Sequence, residues 1–341
     1  MTRLLQAMAG ARHGGAEAFF TRLAVALQKS GQEQRLVIRD HPERVEKLRQ
    51  AGIETLTLPF GGLFDFSTRP GLRRAISEYN PRVVLSWMNR ATSLCPRGDF
   101  VHVARLGGYY DLKHYRACDH LVANTRGIVA YILAEGWPKD RVHYLPNFPA
   151  TKRGHAVSRA SLDTPDDATL VLALGRLHPA KGFDVLIEAM ARAPGIYLWL
   201  AGEGPEREAL QKKAVALGLT DRVRFLGWRE DAPDLLASCD MLAVPSRVEP
   251  LGNTIIEAWA AGKPVIASDS AGPSELIAPG ANGLLVPVEN ADALARAMIQ
   301  LAGDKNLRAR LAEAGFARYQ AAFDESAVVA AYRNFFDKVA H

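Results

Sequence analysis

Arg247-Val248-Glu249-Pro250-Leu251-Gly252-Asn253-Thr254-Ile255-Ile256-Glu257-Ala258-Trp259-Ala260-Ala261-Gly262 follows an apolar run at 241–244 that reads as a buried strand. Asn253 is a good helix N-cap, and Gly262 followed by Pro264 closes the helix. The free N–H groups and positive dipole end at 251–254 then form a seat for an anion such as a phosphate. Glu257 lies three or four residues beyond Asn253 and Thr254, on the same helix face, while Glu249 precedes the helix in the loop. A carboxylate accepts hydrogen bonds from two neighbouring hydroxyls. Two of them flanking a phosphate seat suit a molecule with a sugar on each side of its phosphates, a nucleotide sugar. The same acids also read as a solvated loop acid and an ordinary helix-surface acid, and the rest of the chain must decide.

Strand followed by helix recurs along the whole chain. Apolar runs at 4–8, 35–38, 55–58, 82–86, 101–104, 120–123 and 141–145 alternate with helical patterns. A second set lies at 169–174, 196–201, 223–226, 241–244, 264–267 and 283–286. Such alternation argues for parallel sheets with helices on both faces. Between the sets, 147–168 lapses into Pro, Thr, Ser, Lys and Asp without periodicity and reads as an interdomain linker. The expected architecture is α/β: two doubly wound domains, 1–150 and 151–325, facing each other across a cleft that is the default binding site. A last helical pattern, 326–340, carries Tyr332, Phe335 and Phe336 and must pack somewhere.

Length and composition suit this reading. The 341 residues suffice for two full cores, and no apolar run approaches a membrane span. The opening apolar segment is too short for a secretory signal. Cys95, Cys118 and Cys239 are odd in number and far apart, so they read as free thiols in a reducing compartment, the cytoplasm. Residues 1–150 hold 21 Lys and Arg against 13 Asp and Glu, a net +8, and residues 151–341 hold 21 against 24, a net −3. A basic front half suits an anionic partner, such as a phospholipid surface or a phosphorylated acceptor; a dispersed Arg-rich surface reads the same way. Nucleic acid is not indicated, because aromatics do not interleave with a basic stripe. The loop 59–66 exposes aromatics between glycines ahead of Arg69, Arg73 and Arg74, and reads either as a membrane-touching loop or as a satellite core.

Ligand groups in such sheets gather at the carboxyl ends of strands. In the first half that points to Asn89 and Arg90, to 105–110 with Arg105 and Tyr109, and to Asn124 and Thr125. The turn Gly10 to Glu17 lets the backbone approach a ligand, but it lacks the G-x-G-x-x-G spacing of dinucleotide binders. In the second half Arg176 and Lys181 leave the carboxyl end of a strand, where two fixed cations can stabilise the charge on a departing nucleoside diphosphate. A loop ion pair would account for one of them. No Asp-x-Asp occurs, so a carboxylate-held divalent ion on the diphosphate is not indicated, and no metal or cofactor is expected. Gly202-Glu203-Gly204-Pro205 is another glycine turn after a strand, and Trp228 ends the next strand near where a base could be held.

Taken together, Gly14-Gly15-Ala16-Glu17, Gly175-Arg176 with Lys181-Gly182, Gly202 to Pro205, Pro245-Ser246, and Glu249 to Glu257 resemble the family-4 retaining glycosyltransferases. The likeness is nearly end to end in the second half, and rests in the first on 14–17 and strand order. It implies the GT-B fold of two Rossmann-like domains, with the terminal helix 326–341 crossing back onto the first. It implies that Arg176 and Lys181 bind the donor diphosphate, that Glu249 contacts the donor sugar, and that Glu257 binds the ribose. It also implies that Leu251, Gly252, Asn253 and Thr254 give N–H groups to sugar and phosphate, with Gly15 approaching the phosphate from the other domain. Many members carry a His after the strand matching 101–104. Here His102 falls inside the strand, which leaves Arg105 to face the cleft.

The activity expected is metal-independent transfer, with retention, of a sugar from a UDP- or GDP-linked donor to a hydroxyl of a glycan or lipid-linked acceptor. The setting expected is lipopolysaccharide or surface-polysaccharide synthesis, in the cytoplasm or peripherally at the inner face of the plasma membrane. A nucleotide-sugar epimerase of the same fold and a silent nucleotide-sugar-binding subunit are the alternatives. A nicotinamide oxidoreductase is disfavoured by the glycine spacing.

Overall fold

The computed structural model describes residues 2–12, 14–61, 65–150 and 154–340. His13, three residues of the aromatic loop (Gly62, Leu63 and Phe64), and Thr151, Lys152 and Arg153 of the expected linker lie outside the described residues. The chain divides into two compact units, Met1–Phe148 with Glu325–His341, and Pro149–Asp324.

Unit 1 is built on a sheet of β1 (Leu4–Met8), β2 (Gln34–Arg39), β3 (Glu54–Leu58), β4 (Val83–Trp87), β5 (Val101–Leu106), β6 (His120–Ala123) and β7 (Val142–Tyr144). All pair parallel, in the order β3-β2-β1-β4-β5-β6-β7. Unit 2 repeats the plan with β8 (Thr169–Leu174), β9 (Ile196–Ala201), β10 (Val223–Gly227), β11 (Met241–Val244), β12 (Val265–Ser268) and β13 (Leu284–Val286), again all parallel, in the order β10-β9-β8-β11-β12-β13. Each apolar run of the sequence carries a strand, because strands covered on both faces need no polar alternation. Leu4 and Leu36 pack into one core and their neighbours Leu5 and Val37 into another on the opposite face. In both sheets the winding reverses once, between β1 and β4 and between β8 and β11, and at such a switch point the loops part to leave a crevice.

Helix Glu325–Val339 belongs to unit 1. Its Val328, Val329, Tyr332, Phe335 and Phe336 enter the core that holds Leu4, Phe19 and Trp87. Thr2 Oγ1 donates to Asp337 Oδ1 at 2.6 Å, which ties this helix to the residues ahead of β1.

Arg105 is corrected by this packing. Expected on the acceptor side, it is only 2 % exposed, inside unit 1. Its guanidinium carbon stands 4.8 Å from the Phe19 ring centroid and 4.5 Å from that of Trp87. Its Nε donates to Tyr332 Oη at 3.0 Å and its Nη2 to Asn147 Oδ1. Two ring faces and two oxygens compensate the desolvated cation, so it holds the helix and does not wait for a ligand. The linker is corrected too. From Gly154 onward it is strapped to unit 2, with His155 and Val157 N–H groups donating to Asp234 Oδ1 (2.8 Å) and Ser238 Oγ (2.7 Å). Arg159 bonds the Ser238 and Ala168 carbonyls.

A Tyr332→Phe substitution removes only the acceptor of a charged donor and should cost unit 1 about 1.5–3 kcal/mol. Urea unfolding followed by Trp fluorescence reads this, and an unchanged midpoint would contradict the role given to Arg105.

Candidate functional site

The loops at the carboxyl end of the unit 2 sheet touch through bare backbone. Gly175 and Gly202, just past β8 and β9, have φ of 150° and 149°. A Cβ on Gly202 would stand 1.8 Å from the Gly175 carbonyl oxygen, and one on Gly182 2.2 Å from that of Pro245. Only glycine permits both the conformation and the approach. The Gly175 N–H donates to Ala201 O at 3.0 Å, Leu177 N–H to Glu203 O at 2.9 Å and Val248 N–H to Ala180 O at 3.1 Å. Loops separated by up to seventy residues of chain thus form one surface.

On that surface Lys181 Nζ donates to Glu249 Oε2 at 2.5 Å. Glu249 is almost buried, accepts the Gly252 N–H at 3.2 Å on its other oxygen, and has Ser246 Oγ at 3.5 Å. The reading of one loop cation as an ion-pair member is therefore correct for Lys181, and its partner is the acid expected at the donor sugar. Arg176 is exposed and has no side-chain partner among the described residues. The Gly175 turn brings the stem of Lys181 beside it, since a Cβ on Gly175 would meet Lys181 Cε at 3.6 Å.

The helix start differs by one residue from the sequence reading. Asn253 is not the cap. Helix Asn253–Ala260 begins after Gly252, whose φ of 82° is left-handed, and no side chain caps it. Glu249 takes over the capping acceptor's work on the Gly252 N–H. The chain closes after Ala260 with Gly262 at φ 67°, as expected of a C′ glycine. Leu251 is buried, Thr254 and Glu257 are half-buried and Asn253 is exposed, and both Asn253 and Glu257 have interaction partners.

Glu203 is exposed and pairs with Arg207 Nη1. Its Oε1 lies 3.1 Å from where a Cβ on Gly227 would be, so it stands beside the end of β10, where Trp228 is 73 % exposed. Glu203 and Trp228 thus stand together past the ends of the neighbouring strands β9 and β10.

Unit 1 holds the other expected residues. Gly15 opens helix Gly15–Lys29, and a Cβ there would meet nothing within 4 Å, so its backbone is open to approach. At Gly14 a Cβ would stand 2.2 Å from Glu17 Oε2, and Glu17 folds back to accept the Ala11 N–H at 2.8 Å. Asn89, just past β4, accepts the Tyr115 hydroxyl at 2.6 Å. Tyr109 is exposed and packs edge-on against Tyr131 at 5.5 Å. Asn124 is buried at the end of β6 with its Oδ1 unpartnered among the described residues. His102 lies inside β5, bonded to Ser86 Oγ at 2.9 Å, and burial pushes its pKa down to about 4.

Sequence reasoning missed what braces the loop. Arg247 grips both Asp184 oxygens at 2.7 and 2.8 Å, and also Glu289 and the Pro179 carbonyl. Those hydrogen bonds lower the Asp184 pKa and raise that of Arg247. Gly272, whose N–H donates to Glu249 O at 2.7 Å, backs the loop from the far side. No local spacing announces partners 42 and 63 residues away.

A seat with a held lysine, a free arginine, a pre-oriented carboxylate and a glycine-initiated helix start can take a diphosphate at the cations and hydroxyls at the acid. Among the described residues no three His, Cys, Asp or Glu side chains gather as a metal-holding group.

Comparison with known proteins gives matches over both units. Residues 156–318 match the model of "Glycosyl transferases group 1" and residues 13–153 that of "Glycosyltransferase Family 4". The chain is 41 % identical to the lipopolysaccharide core biosynthesis glycosyltransferase LpsE of Rhizobium meliloti, over 94 % of this chain and 95 % of the relative. It is 37 % identical to LpsD of the same organism over 95 % of each. Anabaena Alr3699/HepE, solved in complex with UDP and glucose, superposes with a TM-score of 0.80 at 22 % identity, over 99 % of this chain and all of that one, which establishes likeness of fold.

A Gly202→Ala substitution should push the Gly175 turn away and lower unit 2 stability by about 1–3 kcal/mol. Calorimetry would show this as a lowered transition, and an unshifted transition would mean the loops are not in close contact.

Proposed function

The chain belongs to the glycosyl transferases group 1 family and is a glycosyltransferase of two-domain α/β, GT-B architecture; from that premise we propose that it moves one sugar from a nucleotide-diphosphate donor to a hydroxyl of a glycan or lipid-linked acceptor, with retention and without a metal. The observation that carries this is the Lys181–Glu249 pair set against the start of helix Asn253–Ala260.

Unit 2 takes the donor. Arg176 and Lys181 hold the diphosphate, the N–H groups of 251–254 line its sugar-phosphate edge, Glu249 receives hydroxyls of the transferred sugar and Glu257 those of the ribose. Gly202, Glu203 and Trp228 form the rim at the base. Gly15, Asn89, Tyr109 and Asn124 serve from unit 1. The bond from the anomeric carbon to the diphosphate oxygen breaks, and the acceptor oxygen bonds to the same face of that carbon. The acceptor proton passes to the leaving diphosphate, whose charge the two cations stabilise. Those fixed cations supply the charge that a divalent ion would otherwise bring.

Two relatives named for lipopolysaccharide core biosynthesis support placing the acceptor among lipopolysaccharide core glycans. Such an acceptor, with the basic first half of the chain, supports work in the cytoplasm at the anionic inner face of the plasma membrane. Among the described residues no helix is long and apolar enough to cross a membrane.

Lys181→Ala should lower kcat by 10²–10³, a loss of about 2.7–4 kcal/mol of transition-state stabilisation. The unfolding transition should be kept, and full turnover in the folded variant refutes the assignment. Sugar transfer should also persist in EDTA, and a strict requirement for added divalent ion would overturn the metal-free reading.

A further inference from the structure

A cavity of 380 Å³ lies at the switch point of the unit 1 sheet, lined by Ala9, Arg39, Met88, Asn89, Arg90 and Tyr110. Ala9 and Met88 give it apolar lining, and its charged groups are both cations. Arg39 and Arg90, from the ends of β2 and β4, converge on a single acceptor, the carbonyl of Phe60. Arg39 Nε adds a bond to the Pro59 carbonyl at 3.2 Å. Neither arginine forms an ion pair among the described residues. The acid that acts on Arg39 through space, Asp65, is occupied by hydrogen bonds from Gly61, Ser67 and Thr68. Two guanidiniums sharing one neutral oxygen keep several N–H donors in hand. The Asn89 Oδ1 accepts the Tyr115 hydroxyl, so the donor Nδ2 is the part of its amide left to a ligand.

The backbone is held out of its easy range at both supports. Phe60, fully buried, has φ 44°, and Met88 has φ 62°. Such conformations persist only where surrounding structure enforces them, which clusters them at binding sites. Here they place the shared carbonyl and aim the Asn89–Arg90 segment. Burial, and then the neighbouring Arg90 charge, push the Arg39 pKa below its ordinary value, and the Asp65 charge only partly offsets them.

We propose that Arg39 and Arg90, with Asn89, form an anion subsite in unit 1 that recognises a phosphate or carboxylate carried by the acceptor sugar. The glycosyltransferase reaction proposed above is the reading on which this rests. It narrows the substrate class to glycans that are anionic near the hydroxyl to be glycosylated. Planar guanidiniums grip such groups bidentately.

The full chain and its Arg90→Gln, Arg90→Lys and Arg39→Gln variants are titrated with glucose 6-phosphate, galacturonate and glucose. Calorimetry or saturation-transfer NMR follows binding, with and without saturating UDP or GDP. The expected result is at least tenfold preference for an anionic sugar over glucose, a tenfold or greater loss in Arg90→Gln, partial recovery in Arg90→Lys, and no displacement by the nucleotide. Arg90 is exposed, so its variants stay readable even where Arg39→Gln, which anchors two loop carbonyls, fails to fold. Equal binding of glucose, unchanged binding in Arg90→Gln, or competition with the nucleotide would each overturn the subsite; competition would assign the arginines to the donor. Nucleotide binding, read in the same titrations, tests the donor side separately: its absence would sink the transfer reading while leaving the anion preference measurable.

Discussion

Lys181 and Glu249 meet at 2.5 Å because three loops are allowed to touch without side chains between them. That approach is the constraint on which the unit 2 site depends. The lysine leaves a turn after β8 and the glutamate a turn after β11, on either side of the point where the sheet winding reverses. A side chain at Gly182 would press on Pro245 and part the two turns, and one at Gly202 would press on Gly175 in the lysine's own loop. Arg247, bound to Asp184 and Glu289, then fixes the glutamate's loop against the lysine's from the outside. The carboxylate is held by Lys181 on one oxygen and the Gly252 N–H on the other, so it is oriented before any ligand arrives.

An ion pair in this position also limits what each partner does alone. Glu249 and Lys181 offset one another's field, and the backbone N–H groups at the start of helix Asn253–Ala260 add a positive end beside them. Unit 1 arranges its own cations differently. Arg105 is sealed between Phe19 and Trp87 and serves packing, whereas Arg39 and Arg90 share a carbonyl beside a cavity. The same residue type thus has opposite roles a few strands apart, decided by whether oxygens and ring faces saturate its donors.

The sheets were legible in the sequence because doubly covered parallel strands are uninterrupted apolar runs, and 169–174, 196–201 and 241–244 match β8, β9 and β11 residue for residue. The loops bearing Arg176, Lys181 and Glu249 were legible because they follow those strands. What the sequence hid was set by distance along the chain. Arg105 looked like a residue at a strand end, but Tyr332, 227 residues later, closes over it. Asn253 looked like a cap by residue preference, while the left-handed φ of Gly252 moved the helix start and Glu249 supplied the acceptor. The segment 154–164 lacks periodicity because hydrogen bonds to Ser238 and Asp240 fix it, with Val157 and Leu162 alone packing on the core.

The helix Glu325–Val339 makes unit 2 an insertion within unit 1, entered after Phe148 and left after Asp324. A ribosome therefore completes all of unit 2 before it releases the residues that finish unit 1. Through that interval Phe19, Trp87 and the Arg105 cation lack Tyr332 and Phe336, and the nascent first sheet carries an uncovered apolar face. The early half of the chain must then wait for the late half, whereas the middle can mature by itself.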